Sequence, residues 1–166
     1  MQTLRSAGIA AAFLLLALPR GLGSEVAVAV APDAALARLR EGNQRFAAAA
    51  AAHPDQTVAR RTELVAGQNP FAVVLTCADS RVAPEILFDQ GLGDLFVIRN
   101  AGNLLDDHVI ASIEYAVEHL HTTLVVVLGH TKCGAVTAAA AGGELPGHLP
   151  SIAESLAPAV AAARKT

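Results

Sequence analysis

The stretch 71–76, FAVVLT, is a short and nearly continuous apolar run that is rich in β-branched residues. The runs 95–98, LFVI, and 124–128, LVVVL, have the same character. Such runs indicate strands that are buried on both faces, which is typical of a parallel sheet. Between the second and third runs, Asp106 and Asp107 precede an amphipathic helical pattern, which supplies the crossover that parallel strands need. The sequence therefore predicts an α/β fold with a central, mainly parallel β-sheet flanked by helices.

Helices are predicted on both sides of these strands along the chain. Asp33 is a good N-cap for a helix that runs into the alanine tract 47–52. A shorter helical pattern covers 58–66 and stops at a glycine. After the third strand, 135–141 and 151–164 are alanine-rich helical segments that glycine and proline residues separate.

The composition of the 166-residue chain fits one globular domain. Hydrophobic residues make up 53% and charged residues 16%, which argues against disorder for most of the chain. Only 4% of the residues are aromatic, so leucine, isoleucine and valine must fill the core. The formal net charge is −3 and the basic residues form no stripe, which argues against nucleic acid as a partner.

The N-terminal segment 1–31 has the pattern of a secretory signal peptide. Arg5 precedes an uncharged, largely apolar stretch, 6–19, which is shorter than the ~20 residues that a membrane span needs. Small residues follow, so we expect cleavage between about residues 23 and 31 and a mature domain over 32–166. The alternative is an N-terminal membrane anchor. A signal peptide predicts a secreted or periplasmic protein with no stable membrane anchor after processing.

Two polar clusters follow strands of the predicted sheet. Cys77, Asp79 and Arg81 come after the first strand, and His130 and Cys133 come after the third. The carboxyl ends of parallel strands lie at one edge of a sheet, where ligands bind in α/β proteins. Two thiolates and an imidazole suit zinc, and three protein ligands leave a fourth position open, as in catalytic zinc sites. In an exported chain a pair of cysteines is also a candidate disulfide, and both alternatives stay open at this point.

Spacing excludes three other kinds of site. Arg81 lies too close to Cys77 for a cysteine phosphatase loop. The chain has no Gly-x-Ser-x-Gly nucleophile turn and no Cys-x-x-Cys redox pair.

Three sequence blocks resemble the signature blocks of the β-class carbonic anhydrases, and the resemblance covers roughly residues 34–160. The blocks are CADSRV at 77–82, RNAGN at 99–103 and GHTKCG at 129–134. The resemblance implies one zinc ion per chain, held by Cys77, His130 and Cys133. It also implies a carbonate dehydratase, a zinc lyase that reversibly hydrates CO2 to bicarbonate and a proton through zinc-bound hydroxide. Members of the family assemble with clefts at the subunit interface, so a homodimer or a higher homo-oligomer is implied as well.

The same resemblance implies roles for five further residues. Arg81 would hold Asp79 away from the metal, so that Asp79 accepts a hydrogen bond from the hydroxide, and Asp79 is also the candidate fourth zinc ligand of a closed state. Gln68 resembles the amide that binds substrate. Phe96 and Tyr115 resemble the walls of the CO2 pocket, part of which the partner subunit supplies. The alternative interpretations are a surface ion pair for Asp79 and Arg81, and ordinary core positions for Phe96 and Tyr115.

The end of the sequence departs from the family pattern. Relatives usually continue well beyond the helix at 151–164, so we expect a C-terminally short member of the family or a fragment. If the chain ends at Thr166, a sheet edge without its next strand invites pairing with other chains, which predicts a marginally stable or aggregation-prone protein with weak activity. The alternative is that the N-terminal helix predicted over 33–52 contacts a partner well enough to hold an active dimer. Two other functions stay open: hydrolysis of a CO2-like molecule such as carbonyl sulfide or carbon disulfide, and an inactive zinc-binding interaction protein.

Overall fold

A three-stranded parallel sheet forms the centre of the structure, a computed structural model that describes residues 29–165. Strand β1 (Ala72–Cys77) lies between β2 (Leu95–Asn100) and β3 (Val125–Leu128), and both pairings are parallel. The β-branched residues of these runs fit a pleated sheet. Because all three strands run in the same direction, their carboxyl ends meet at one edge of the sheet. The predicted α/β fold with a parallel sheet is confirmed.

The three strands differ in burial. Every residue of β1 is buried, as a central strand requires. In β3 the exposure alternates, and the side chains of Val125 and Val127 are 42% and 66% exposed. The prediction of burial on both faces is therefore right for β1 and wrong for β3. Among the described elements, β1 alone packs extensively against β3, so one side of that strand stays open.

Helix α1 (Pro32–Ala47) begins two residues earlier than predicted. The fixed φ angle of Pro32 suits the first helical position, so the chain enters the helix there. Ala31 is the N-cap and makes no side-chain cap, while Asp33 lies in the first turn. The prediction of Asp33 as the N-cap is therefore wrong, although its negative charge still favours the helix start.

The same helix ends before most of the predicted alanine tract. Asp89 binds the chain just beyond this end, where its carboxylate accepts hydrogen bonds from the N–H groups of Ala52 and His53 at 2.9 Å each. It also accepts one from Arg45 Nε at 2.5 Å. These contacts hold residues 48–53 against another part of the chain, so alanine propensity does not decide where α1 ends.

The remaining helices agree with the predicted pattern, except that the structure contains one short helix that was not predicted. Helix α3 (Pro84–Leu87) has only four residues and so has no helical periodicity that a sequence pattern could show. In helix α4 (Asp107–Glu118), Asp106 is the N-cap and accepts a hydrogen bond from the Val109 N–H at 2.9 Å. In chain order the elements are α2 (Val58–Glu63) with a 3-10 turn (Leu64–Ala66), α3 (Pro84–Leu87), α4 (Asp107–Glu118), α5 (Gly134–Ala141) and α6 (Leu149–Ala163).

The core cluster lies between α1 and the start of the sheet. Ala35 and Leu39 of α1 are buried with Phe71 and Ala72. Partly buried apolar residues pack around this group: Val30, Phe88, Leu95, Leu124 and Val126. At the carboxyl edge of the sheet, α5 begins directly after Cys133 and packs against α6.

Residues 1–28, which include most of the predicted signal peptide, lie outside the described part of the chain. Within residues 29–165, no helix is both long enough and apolar enough to cross a membrane.

Candidate metal centre

Three candidate ligands meet at the carboxyl edge of the sheet. Cys77 is the last residue of β1, His130 follows the end of β3 by two positions, and Cys133 directly precedes α5. Thr76 pairs with Leu128, so the ends of β1 and β3 lie side by side. The parallel pairing thereby brings two distant stretches of sequence to one place.

The spacing of the three ligating atoms suits a zinc ion. The sulfur atoms of Cys77 and Cys133 and a ring nitrogen of His130 all lie within 4.8 Å of one another. The two sulfur atoms are 3.9 Å apart and both cysteines are free, so the structure contains the thiols and not the alternative disulfide. A tetrahedral zinc ion with Zn–S bonds of about 2.3 Å holds two sulfur atoms roughly 3.8 Å apart. The thiols are therefore already spaced for the metal.

The His130 ring is also oriented for metal binding. Its Nδ1 atom lies 3.0 Å from the Thr131 carbonyl oxygen, which favours the tautomer with the proton on Nδ1. Its Nε2 atom is buried and has no hydrogen-bond partner among residues 29–165. A buried acceptor without a partner is costly, and a metal ion would satisfy it. The residues present therefore fit zinc.

The surroundings of Cys77 favour its thiolate form, which is the form that binds metals. Burial raises the pKa of the Cys77 thiol, but the Gly102 N–H, the neighbouring His130 ring and the Asp79 N–H stabilise the thiolate and lower that pKa to about 7. The Gly102 nitrogen lies 3.5 Å from Cys77 Sγ. In turn, the Cys77 sulfur raises the pKa of His130.

Asp79 and Arg81 form a two-point ion pair beside the candidate ligands. Arg81 Nε and Nη2 donate to the two carboxylate oxygens of Asp79 at 2.8 and 2.7 Å. The Arg81 side chain, together with its backbone N–H, holds the pKa of the Asp79 carboxyl well below its usual range. Asp79 Oδ2 lies 3.9 Å from His130 Nε2. The structure thus places Asp79 next to the three ligands while Arg81 occupies both of its oxygens.

Comparison with known proteins supports the same kind of site. A family model described as carbonic anhydrase matches residues 72–166. Over 138 residues, the chain is 54% identical to carbonic anhydrase 2 of Mycobacterium tuberculosis, an alignment that covers 81% of this chain. The fold matches that of a solved structure, the β-carbonic anhydrase CcaA, with a TM-score of 0.57 and 34% identity over 78% of this chain. The chain belongs to the β-carbonic anhydrase family.

Other β-carbonic anhydrases of known structure are similar as well. A chain of the tetrameric β-carbonic anhydrases of Sordaria macrospora matches with a TM-score of 0.60 and 28% identity, over 78% of this chain. The present chain spans about two thirds of the length of these relatives: 67% of the Mycobacterium tuberculosis protein, 66% of the Sordaria macrospora chain and 64% of CcaA.

The residues that the β-carbonic anhydrase resemblance places in the CO2 pocket lie away from the metal centre within one chain. Phe96 and Tyr115 are neighbours, with ring centres 6.2 Å apart. Asn100 pairs with Cys77, and Phe96 precedes Asn100 by four positions, which is about 13 Å along β2. Gln68 precedes β1 and so lies toward the same amino end of the sheet. The described chain therefore does not bring these three residues to its own metal centre.

Sequence analysis missed the hydrogen bonds of the segment 99–104, here called the loop 99–104, which consists of the last two residues of β2 and the turn after it. Arg99, Gly102 and Asn103 donate hydrogen bonds to the segments that carry the ligands. The block RNAGN marks this loop in the sequence, but a motif does not say which groups its residues contact. The available signal was a Gly-Asn pair, typical of turns, shortly after a strand that ends at the ligand edge.

Proposed function

We propose that this protein is a zinc-dependent carbonate dehydratase that reversibly hydrates CO2 to bicarbonate and a proton. The observation that carries the proposal is the cluster of Cys77, His130 and Cys133, with ligating atoms within 4.8 Å of one another, in a chain of the β-carbonic anhydrase family. Two thiolates and one imidazole would hold one zinc ion and leave its fourth position open to water. When bound, the zinc supplies a Lewis acid that makes water a nucleophile near neutral pH.

In this proposal Asp79 orients the reacting water. Its carboxylate is ionised at neutral pH because Arg81 donates to both oxygens, and an ionised carboxylate only accepts hydrogen bonds. It therefore accepts a hydrogen bond from a water molecule beside His130 and turns a lone pair of that water toward CO2. Because Arg81 donates to both oxygens of Asp79, it would also keep this carboxylate from serving as a fourth zinc ligand, and Asp79 could serve as that ligand only after Arg81 releases it.

We further propose that the functional unit is at least a homodimer in which Gln68, Phe96 and Tyr115 of one subunit complete the cleft of the other. Three observations support this. The three residues lie toward the opposite end of the sheet from the metal ligands of their own chain. Tyr115 is 47% exposed, and α4 exposes the apolar side chains of Ile110 and Val117 on its surface. The solved relatives from Sordaria macrospora are tetrameric.

Mixing two inactive variants tests the shared cleft. C77S lacks a metal ligand and F96R lacks the apolar wall, so we expect each homodimer to be inactive. After the two proteins are unfolded and refolded together, a heterodimer contains one cleft with an intact metal site and an intact Phe96 from the partner. Recovery of CO2 hydration supports the proposal. A mixture that forms heterodimers without recovering activity contradicts it.

We also propose that the chain is exported and that cleavage of its signal peptide occurs before Val30. Two contacts support this boundary. Val30 packs against the core cluster, and its carbonyl oxygen accepts a hydrogen bond from the Thr123 hydroxyl. Mass spectrometry of protein from the periplasm or the medium should find a mature N-terminus between residues 24 and 30. Retention of Met1 in the exported protein would instead support an N-terminal anchor.

The test of the main proposal combines metal analysis with stopped-flow CO2 hydration on the same purified sample. We expect one zinc ion per chain, two titratable thiols after denaturation with a chelator, and CO2 hydration that the C133S variant lacks. A zinc-loaded protein that does not hydrate CO2 would contradict the proposed activity. A Cys77–Cys133 disulfide in a metal-free protein would contradict the metal centre as well.

A further inference from the structure

We propose that the loop 99–104 is a positioning element that holds the Cys77 and His130 segments at the spacing that the metal needs. This inference rests on the proposed zinc site. The loop begins with the last two residues of β2 and leads toward α4, and it contacts both ligand-bearing segments. It acts through other residues, since Cys77, His130 and Cys133 alone form the ligand cluster in the described part of the chain.

Arg99 fixes the backbone around the first ligand. Its Nε atom donates to the Cys77 carbonyl oxygen at 3.1 Å, and its Nη2 atom donates to the Asp79 carbonyl oxygen at 2.7 Å. One planar guanidinium therefore sets the path of the chain on both sides of Ala78. The Asp79 side chain is therefore positioned twice: Arg99 fixes its backbone and Arg81 holds its carboxylate.

Gly102 contacts the ligand atom itself. Its N–H donates to Cys77 Sγ at 3.5 Å, and its φ angle of 84° is in the left-handed region that favours glycine. A Cβ at this position would lie 2.9 Å from Leu156 Cδ1 of α6 and 3.2 Å from the Ala135 Cβ of α5. The position is therefore closely packed against α5 and α6.

Asn103 fixes the strand end that leads to the second ligand. Its Nδ2 atom donates to the Leu128 carbonyl oxygen at 2.7 Å and lies 3.5 Å from the Leu75 carbonyl oxygen. The ladder between β1 and β3 ends at Leu128, and His130 follows two positions later. The amide of Asn103 thus connects β1 and β3 at the point where the backbone pairing between them ends.

Hydrogen bonds within the loop fix its own shape, so it can hold the segments that it contacts in place. The Asn100 side chain accepts a hydrogen bond from the Leu104 N–H at 2.7 Å and donates to the Leu104 carbonyl oxygen at 2.9 Å. This pair of bonds closes the loop into a ring. A closed loop that bonds to Cys77, Asp79 and Leu128 constrains the two ligand segments relative to each other.

The experiment compares the loop variants R99M and N103D with the parent and with R60M. N103D keeps the shape of the side chain and replaces the donor with a carboxylate that repels the Leu128 carbonyl. R60M is the matched control, because Arg60 Nε also donates to a backbone carbonyl, that of Leu92 at 3.0 Å, in another part of the chain. For each protein we measure zinc affinity by chelator competition and the visible spectrum after cobalt(II) replaces zinc.

We expect R99M and N103D to weaken zinc binding by about 10-fold or more, because residues that orient metal ligands commonly matter by ~10–100-fold. We also expect them to change the cobalt(II) absorption bands, which report the geometry of the bound ligands and are insensitive to general stability. R60M should leave both readouts unchanged. Parental affinity and spectrum in folded R99M and N103D would overturn the proposal.

The variants R99A and N103G, which remove the donor groups without adding a bulky or charged side chain, keep the proposal testable if the first pair does not fold, and parental values in these variants would overturn it equally. If all four variants stay unfolded even with added zinc, the loop serves the fold and not the site, which also overturns the proposal. A parent that binds zinc but does not hydrate CO2 contradicts the proposed function only, since affinity and spectrum still decide the role of the loop.

Discussion

Arg81 holds Asp79 and also contacts the segment that carries two of the ligands. Its side chain donates to both oxygens of Asp79 and, at 3.3 Å, to the Lys132 carbonyl oxygen between His130 and Cys133. The Arg81 side chain is 58% exposed, and an ion pair so accessible to water adds little to the free energy of unfolding. The role of the ion pair is to position the Asp79 carboxylate. Substitutions of Asp79 or Arg81 should therefore affect catalysis more than folding.

We expect D79A and R81A each to lower the kcat for CO2 hydration by ~10-fold or more, since partners of a metal site commonly matter by ~10–100-fold. Both variants should still bind one zinc ion per chain, because the three candidate ligands are unchanged. Stopped-flow kinetics and metal analysis check this. E63A is the control, since it removes another arginine–carboxylate pair, Arg60 with Glu63 at 2.9 Å. Parental turnover in D79A or R81A would exclude the pair from catalysis.

The candidate ligands could be predicted from sequence because each follows a predictable strand and parallel strands end at one edge. The positions of Phe96 and Tyr115 could not. Their distance from the metal centre depends on strand register, and the surfaces they face depend on assembly, neither of which a motif specifies. The hydrogen bond from Asn103 to Leu128 could not be predicted either, because it joins residues that lie 25 positions apart in the chain.

At the level of secondary-structure elements, the apolar runs predicted the strands well because β-branched residues in unbroken runs have few other stable arrangements. The ends of helices were less predictable. Helix α1 stops where Asp89, more than 30 residues later, binds the chain beyond it. Alanine propensity, which is a local quantity, favoured a longer helix.

We expect D89N to lower the free energy of unfolding at neutral pH. The Ala52 N–H and the Arg45 side chain lower the pKa of Asp89 to about 2, below the value of about 4 in an unfolded chain. The ionised carboxylate therefore stabilises the fold fully above about pH 4, and that contribution is lost as the pH falls through about 2. Asparagine tolerates the φ angle of 44° at this position, so backbone strain does not confuse the comparison.

Urea unfolding of the parent and D89N should thus differ most at pH 7 and converge as the pH falls from about 4 to about 2. E114Q, which changes an exposed carboxylate on α4, should follow the parent throughout. A difference between the parent and D89N that does not depend on pH would show that Asp89 does not stabilise the fold through its charge.

Helix α1 should be sensitive to substitution at its glycine. A Cβ at Gly42 would lie 1.7 Å from the Phe88 carbonyl oxygen, directly after α3, so the chain there would have to move away. We expect G42A to lower the free energy of unfolding by about 1–3 kcal/mol. G134A is the matched control, because a Cβ at this position in α5 meets nothing within 4 Å, and it should be neutral or stabilising by up to about 1 kcal/mol. Equal unfolding midpoints in urea would contradict the packing described for α1.

At the scale of the whole molecule, the described sheet has an open edge at β3. That strand pairs only with β1 among residues 29–165, and its exposed side chains are apolar. Unpaired backbone groups beside apolar β-branched side chains are a template for pairing with other chains. A charged side chain on the same strand should oppose this.

We expect V127K to reduce the formation of species larger than the proposed dimer by the 166-residue chain, because lysine on an edge strand disfavours strand pairing. Val127 is 66% exposed, so the change should cost little stability. V65K is the control, since it adds the same charge at a site that is 87% exposed in the 3-10 turn. Sedimentation velocity at matched concentrations checks this. Equal amounts of large species in both variants would show that the β3 edge does not drive association.

The contact between Leu156 and Gly102 has a consequence for the order of events during synthesis. Translation delivers a chain from its N-terminus, so α6 is the last described helix to leave the ribosome. Leu156, the buried residue of that helix, packs behind the glycine that contacts Cys77. Both thiols have therefore left the ribosome before α6 can pack against Gly102. For a chain that is exported while it is being synthesised, this interval falls in an oxidising compartment, where capture of zinc competes with oxidation of the newly made thiols.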